Sequence, residues 1–206
     1  MKAVNYFSDA YQDLYLKVLV IFAFCLIGVY VPAKAHKEKQ AELVALQTEF
    51  EEYKNFAEGE MTNLHARLEQ HKADIRAVQF RQEELKCLAD NIYFESGYEP
   101  YNGKVAVAQV TMNRVRNKNF PNTVCGVVYQ KYGRVCQFSW VCERKRKPNG
   151  IVYEEAKEIA ARVYDGAIRL RDVRTALYFH ADYVDPYWKS HKVYLAQIGR
   201  HIFYTK

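Results

Sequence analysis

The stretch CLADNIYFESGYEP, residues 87–100, decides how the chain is read. Counting back from Glu95 by threes and fours gives Ile92, Leu88 and Leu85, so an acid falls on the stripe that a helix turns toward a core. Gly97 and Pro100 then close a helix expected over 85–96. A carboxyl at that place meets the negative end of the helix dipole and has Ile92, Tyr93 and Phe94 for neighbours. Dipole and desolvation both favour the protonated form, the state that a general acid needs near neutral pH. A surface glutamate at a frayed helix end fits the same periodicity, so the pattern alone leaves both readings open. Glu99, one turn later, is a candidate second carboxylate, although spacing within a loop fixes no distance.

Working outward toward the C-terminus, a second helix is expected over 103–116, with Val105, Ala108, Met112 and Val115 on one face. A short helix capped by Thr123 follows over 124–130, and 135–141 reads as extended. Residues 153–170 are strongly amphipathic through Ala156, Ile159, Ala160, Val163 and Ala167. Short strands are expected at 175–180 and around 198–204. Together these elements predict a mostly helical α+β domain over 87–206.

Working toward the N-terminus, residues 36–86 lack proline and hold one glycine, Gly59. Leu43, Leu46, Phe50, Tyr53 and Ala57, then Met61, Leu64, Leu68, His71, Ile75 and Val78, step by threes and fours. The pattern predicts a long helix with imperfect heptads, a coiled-coil spacer able to pair with a second copy. Residues 1–35 carry the uncharged apolar run 18–31, extended by Leu14 to spanning length if Lys17 snorkels. Pro32 and Ala33-Lys34-Ala35 follow, so a signal anchor through 14–31 and a signal peptide cleaved after Ala35 both fit. Either one exports the remainder to the cell envelope or beyond. Half of the 206 residues are hydrophobic and 15% aromatic, which excludes a disordered chain. The net charge of +6 is uneven, about +1, −3 and +8 over 1–35, 36–86 and 87–206. A basic C-terminal domain suits a polyanionic partner. The lone cluster Arg144-Lys145-Arg146-Lys147 beside Pro148-Asn149-Gly150 reads as an exposed loop rather than a nucleic-acid surface.

Five blocks in order, CLADNIYFESGYEPYNGKVAVAQVTMNRV, FPNTVCGVVYQ, CQFSWVC, ALYFHADYVDPYW and IGRHIFY, resemble the SleB-type cell-wall hydrolases, the family of spore cortex-lytic enzymes. The resemblance covers 87–206 and nothing before it. It implies a lysozyme-like, lytic-transglycosylase-like fold, peptidoglycan glycan strands as substrate and Glu95 as the catalytic acid. The family's YFEARGEP block reads YFESGYEP here, so the acid is kept while the neighbouring arginine is replaced within Ser96-Gly97-Tyr98.

The chemistry has three readings. A hydrolysing glycosidase needs two carboxylates, and Glu99 would then assist Glu95. A lytic transglycosylase needs one acid, because the muramic acid's own C6 hydroxyl attacks C1 and leaves a 1,6-anhydro end. A domain that binds glycan without cutting it, in an envelope structural protein, is the third. Gln109 and Asn113 are candidate ligands for N-acetyl groups, or buried amides that tie their helix to a loop. Gln137, Ser139 and Trp140 offer polar groups beside an aromatic ring suited to sugar stacking or to core packing. Tyr178 and His180 are expected on one face of a strand at the cleft wall. Cys87, Cys125, Cys136 and Cys142 are disulfide candidates with three possible pairings, among which the short loop from Cys125 to Cys136 closes easily. No cofactor is expected, and no metal either, since His180, His191 and His201 match no common zinc spacing.

Overall fold

Leu88, Ala89 and Ile92 are completely or almost completely buried, so the stripe that leads to Glu95 does face a core. They lie in α1, which the computed structural model gives as Ala3–Ser96; the structure describes residues 3–143 and 147–206. Residues 1–70 and 71–206 form two compact units. In the first, every described side chain is exposed, including Leu43, Leu46, Phe50 and Tyr53 on the apolar stripe. Its run around 14–31 is apolar enough to cross a membrane, with a mean hydropathy of 2.4 over 18 residues.

The second unit, 71–206, includes the last turns of the long helix, which make tertiary contacts from Arg81 onward. Arg81 bonds Asp165 with both carboxylate oxygens, at 2.9 and 2.8 Å. Glu84, almost fully buried, accepts the backbone N–H groups of Val124 and Cys125 at 2.5 and 3.0 Å. Those are orphan donors at the start of α3, Val124–Val128, whose Thr123 cap also accepts from Gly126 as expected.

α1 stops at Ser96 because Gly97 lets the chain pass within contact of Tyr93 and Val152. A Cβ on Gly97 would lie 2.5 Å from the Tyr93 carbonyl oxygen. Pro100 then leads into α2, Tyr101–Val115. α2 is buried on two faces, as its near-continuous apolar run VAVAQVTM requires. Val105, Ala108 and Met112 pack with Leu88 and Ile92 of α1 and with Ala156, Ile159, Ala160 and Val163. Val107 and Val110 pack against Val173, Ala176 and Phe203 in a second cluster. Full burial of each valine, leucine, isoleucine, methionine or phenylalanine among them is worth about 1.5–3 kcal/mol.

The segment 135–141 is not one extended run. Lys131–Tyr132 and Val135–Cys136 form a small hairpin, β1 and β2, and Ser139–Cys142 makes a helical turn, α4. The Cys136–Cys142 disulfide closes this reversal. The amphipathic helix α5 spans Gly150–Tyr164 and ends before the expected 170. The C-terminal sheet has the order β3-β5-β4, with β3 at Tyr178–Ala181, β4 at Val193–Ile198 and β5 at His201–Thr205, all antiparallel. What the sequence offered as one strand around 198–204 is therefore a hairpin. Gly199, at φ 60°, opens its two-residue turn. The molecule is thus mostly helical α+β, with the small sheet packed on α2.

The second disulfide joins Cys87 to Cys125, so the easily closed loop from Cys125 to Cys136 is not the one used. With a sequence separation of 38, this bridge constrains the unfolded chain more than the Cys136–Cys142 bridge with its separation of 6, by about 4 against about 2 kcal/mol. Replacing Cys87 and Cys125 by serine should lower the thermal midpoint more than replacing Cys136 and Cys142. Equal or reversed shifts in a melting experiment would contradict that ranking.

Candidate active site

The last turn of α1 and the turn that follows it form one wall of a cleft of about 820 Å³. Glu95, half-buried, Phe94 and Glu99 line that wall. Asn149–Val152 at the start of α5 supply a second wall, and Ala181, Tyr183, Arg200 and His201 from the sheet a third. The volume lies within the range usual for small-ligand sites. Behind Glu95 the helix is pinned by aromatic packing. Phe94 stacks on Trp140 at 4.6 Å, and Tyr93 meets Tyr153 edge-on at 5.7 Å. The Trp140 Nε1–H donates to Asn91 Oδ1 at 3.1 Å, and the Tyr153 hydroxyl donates to Asp90 at 2.7 Å. Burial and this carboxylate push the Tyr153 hydroxyl well above the usual tyrosine range. These contacts fix the turn on which Glu95 stands.

Two buried basic groups, of which His201 lines the cleft, were not singled out as site residues from sequence. Arg114, on α2, donates from Nε to the Leu177 carbonyl at 2.8 Å and lies over the Phe120 and Phe138 rings. Burial lowers its pKa to about 10, opposed by the charges of Tyr178 and Glu95, so it remains a cation at neutral pH. His201 is 7% exposed and packs edge-on against Phe179 at 5.2 Å. Burial lowers its pKa below the usual 6.5, with Glu99 and Asp182 opposing the shift and His180 adding to it.

A family model described as Cell Wall Hydrolase matches residues 98–204, more than half of the chain. The chain belongs to that family. The match begins just after Glu95, at Tyr98. The spore cortex-lytic enzyme of Bacillus cereus is 33% identical over 126 residues, which cover 60% of this chain and 45% of that protein. The Bacillus subtilis spore cortex-lytic enzyme is 31% identical over 126 residues, 60% of this chain and 38% of that one. The chain thus spans less than half the length of these curated relatives. Among solved structures, the catalytic domain of the germination-specific lytic transglycosylase SleB from Bacillus anthracis is 33% identical. That alignment covers 60% of this chain and 95% of that domain, with a TM-score of 0.49.

Within this cell-wall hydrolase domain the expected site residues divide. Glu95 and Glu99 share the cleft. Glu99 Oε2, however, accepts the Arg200 backbone N–H at 2.9 Å, so the carboxylate ties two turns together. Gln109 is almost fully buried and bonds both the N–H and the C=O of Leu170, at 2.7 and 2.9 Å. Its amide is thus engaged on the Leu170 backbone. Asn113 does the same for the carbonyls of Val173 and Ala176. Trp140 is core, its ring covered by Phe94, rather than a sugar-stacking surface. Gln137 and Ser139 stand beside it in the β2–α4 segment and do not line the cleft.

Tyr178 and His180 do share a face, the one opposite Phe179 and Ala181, and His180 is buried there. Phe179 and Ala181 alternate with them, with Phe179 packed on Phe203 and Ala181 lining the cleft. His180 bonds the Tyr204 hydroxyl at 3.0 Å and stacks on that ring, while Tyr178 lies near Trp188 and under the Lys192 ammonium. The four cysteines of the domain are all consumed by disulfides. Among the described residues no group of His, Cys, Asp and Glu is arranged to hold a metal. Of the basic cluster, 144–146 lie outside the described residues.

The depressed pKa of His201 carries a sign for stability. Between its folded value and 6.5 the unfolded chain binds the proton that the folded one refuses, so stability rises with pH across that window and falls as acid is added. Thermal midpoints at about pH 7.5 and pH 5 should therefore differ less in His201→Phe than in the parent chain. An undiminished difference would place the acid sensitivity in other groups.

Proposed function

We propose that this chain cleaves the glycan strand of peptidoglycan as a lytic transglycosylase, with Glu95 as its general acid. The observation that carries the reading is the half-buried Glu95 at the end of α1, in a cleft of about 820 Å³ whose Glu99, Arg200 and His201 fall within the cell-wall hydrolase match over 98–204. The names of its relatives, spore cortex-lytic enzymes and a lytic transglycosylase, support the same substrate class. In this reading Glu95 protonates the bridging oxygen and then accepts the proton of the muramic acid C6 hydroxyl as that oxygen closes on C1. No water is consumed, and the new end is a 1,6-anhydro sugar. The bond from Arg200 to Glu99 supports the one-acid version, because it spends part of the second carboxylate on structure.

Hydrolysis with Glu99 assisting is the second reading, favoured by the position of both acids in one cleft. A glycan-binding envelope protein without activity would use the same cleft. We further propose that 14–31 anchors the chain in a membrane, supported by the exposed apolar run there. The exposed stripe of Leu43, Leu46, Phe50 and Tyr53 would then pair two copies as a spacer. The domain would act at the cell envelope, either in wall remodelling or in phage lysis.

Glu95→Gln should lower release of soluble fragments from purified sacculi by about 10²–10⁴-fold, the usual worth of a general acid, while the thermal midpoint stays unchanged. Wild-type turnover by that variant would exclude Glu95 as the acid. Glu99→Gln, which keeps an acceptor for Arg200, should keep its activity within a few-fold, about the net worth of one hydrogen bond. Mass spectrometry of the products should find anhydro ends. Single incorporation of ¹⁸O from labelled water at each new end would instead assign hydrolysis.

A further inference from the structure

His201 opens β5 directly after the Gly199-Arg200 turn and lines the cleft that holds Glu95. Its Nδ1 is sealed from solvent and has no hydrogen-bond partner among the described residues. The ring nitrogen left to meet a ligand in the cleft is therefore Nε2. An unpaired buried acceptor is tolerated more readily than an unpaired buried N–H, so the neutral ring keeps its proton on Nε2. Protonating the ring would add a second, sealed N–H donor with nothing to receive it. The ring is held by Phe179, and the strand that carries it is paired to β3 and β4, so it has little freedom to turn away. Glu99, which anchors the neighbouring Arg200, and Ala181, its register partner on β3, keep its height in the cleft.

We propose that His201 is a substrate-positioning residue that donates a hydrogen bond from Nε2 to a carbonyl or hydroxyl oxygen of the glycan strand bound beside Glu95. A glycan strand offers such acceptors in its acetamido carbonyls and ring hydroxyls. The inference rests on the glycosidase reading above. It goes beyond that reading by assigning a binding contact on the wall formed by the sheet, away from the turn that carries the acid. A donor that stays neutral serves this role across the neutral pH range, because it does not gain a charge that would need a partner in the cleft.

The test uses the full chain with His201→Phe, His201→Gln and His201→Asn, purified sacculi as substrate, and thermal midpoints in parallel. Phenylalanine keeps a ring against Phe179 and removes the unpaired Nδ1, so its midpoint should equal or exceed that of the parent. The sacculus concentration giving half-maximal rate should nevertheless rise about tenfold, near the worth of one hydrogen bond, with little change in maximal rate. Glutamine, whose amide nitrogen can take the place of Nε2, should recover most of the loss. Asparagine, whose nitrogen falls at the Nδ1 position, should not. Parental kinetics in His201→Phe overturn the proposal, as does an equal loss in the glutamine and asparagine variants. If the phenylalanine variant fails to fold, the glutamine and asparagine pair decides by the same criterion. If the parent chain releases no fragments, the glycosidase reading fails separately, and co-sedimentation of the variants with sacculi decides the His201 contact. Undiminished sedimentation of the phenylalanine and asparagine variants would then overturn it.

Discussion

One hydrogen bond between a carboxylate and a distant backbone N–H ties two walls of this cleft together. Glu99 lies in the turn between α1 and α2, and its Oε2 receives the backbone N–H of Arg200, 101 residues later. The bond joins the turn that bears Glu95 to the hairpin that bears His201, so two walls of the cleft keep one spacing. Gly199 makes the approach possible, since a Cβ there would overlap the Glu99 carboxylate and crowd Pro100. A bond between an anion and a backbone donor is among the stronger kinds available to a protein. The preceding Gly97 answers to Tyr93 and Val152 instead, so the close approach at Gly199 is the one that serves Glu99.

α2 plays the corresponding part for the interior. Both of its faces are dry, and its polar side chains are turned on the irregular segment between α5 and β3. Gln109 satisfies Leu170, Asn113 satisfies Val173 and Ala176, and Arg114 satisfies Leu177. That segment has little regular structure of its own, yet Val173 and Ala176 are buried, so its backbone needs partners from outside. The side chains of a neighbouring helix supply them, and the segment in turn delivers β3 to the sheet.

The sequence made the helices legible wherever one face alone was apolar or a cap was present. The end of α1 at Gly97, the Thr123 cap and the apolar face of α5 were all readable, because each depends on neighbours in the chain. Glu95 was readable for the same reason: an acid on an apolar stripe contradicts the pattern around it. The sequence left two readings open where the residue type serves two ends equally. An amide that can hold an N-acetyl group can also hold a backbone, and Gln109 and Asn113 do the latter. In the strand YFHA both alternating pairs contain an aromatic ring, so parity could not say which pair faces inward. The answer lies in Phe203, on a strand more than twenty residues away, against which Phe179 packs. His201 was considered from sequence only as a zinc ligand. Its unpaired Nδ1 belongs to tertiary structure, and no local pattern announces it.

The two disulfides have a topology of their own. Cys87 is joined to Cys125 and Cys136 to Cys142, so the bridges follow one another along the chain without overlapping. Of the three ways to join four cysteines, this is the one in which neither loop encloses or crosses the other. A polypeptide emerging N-terminus first can therefore complete one covalent ring before the cysteines of the next appear. At no stage does a correct bond require an earlier one to be undone.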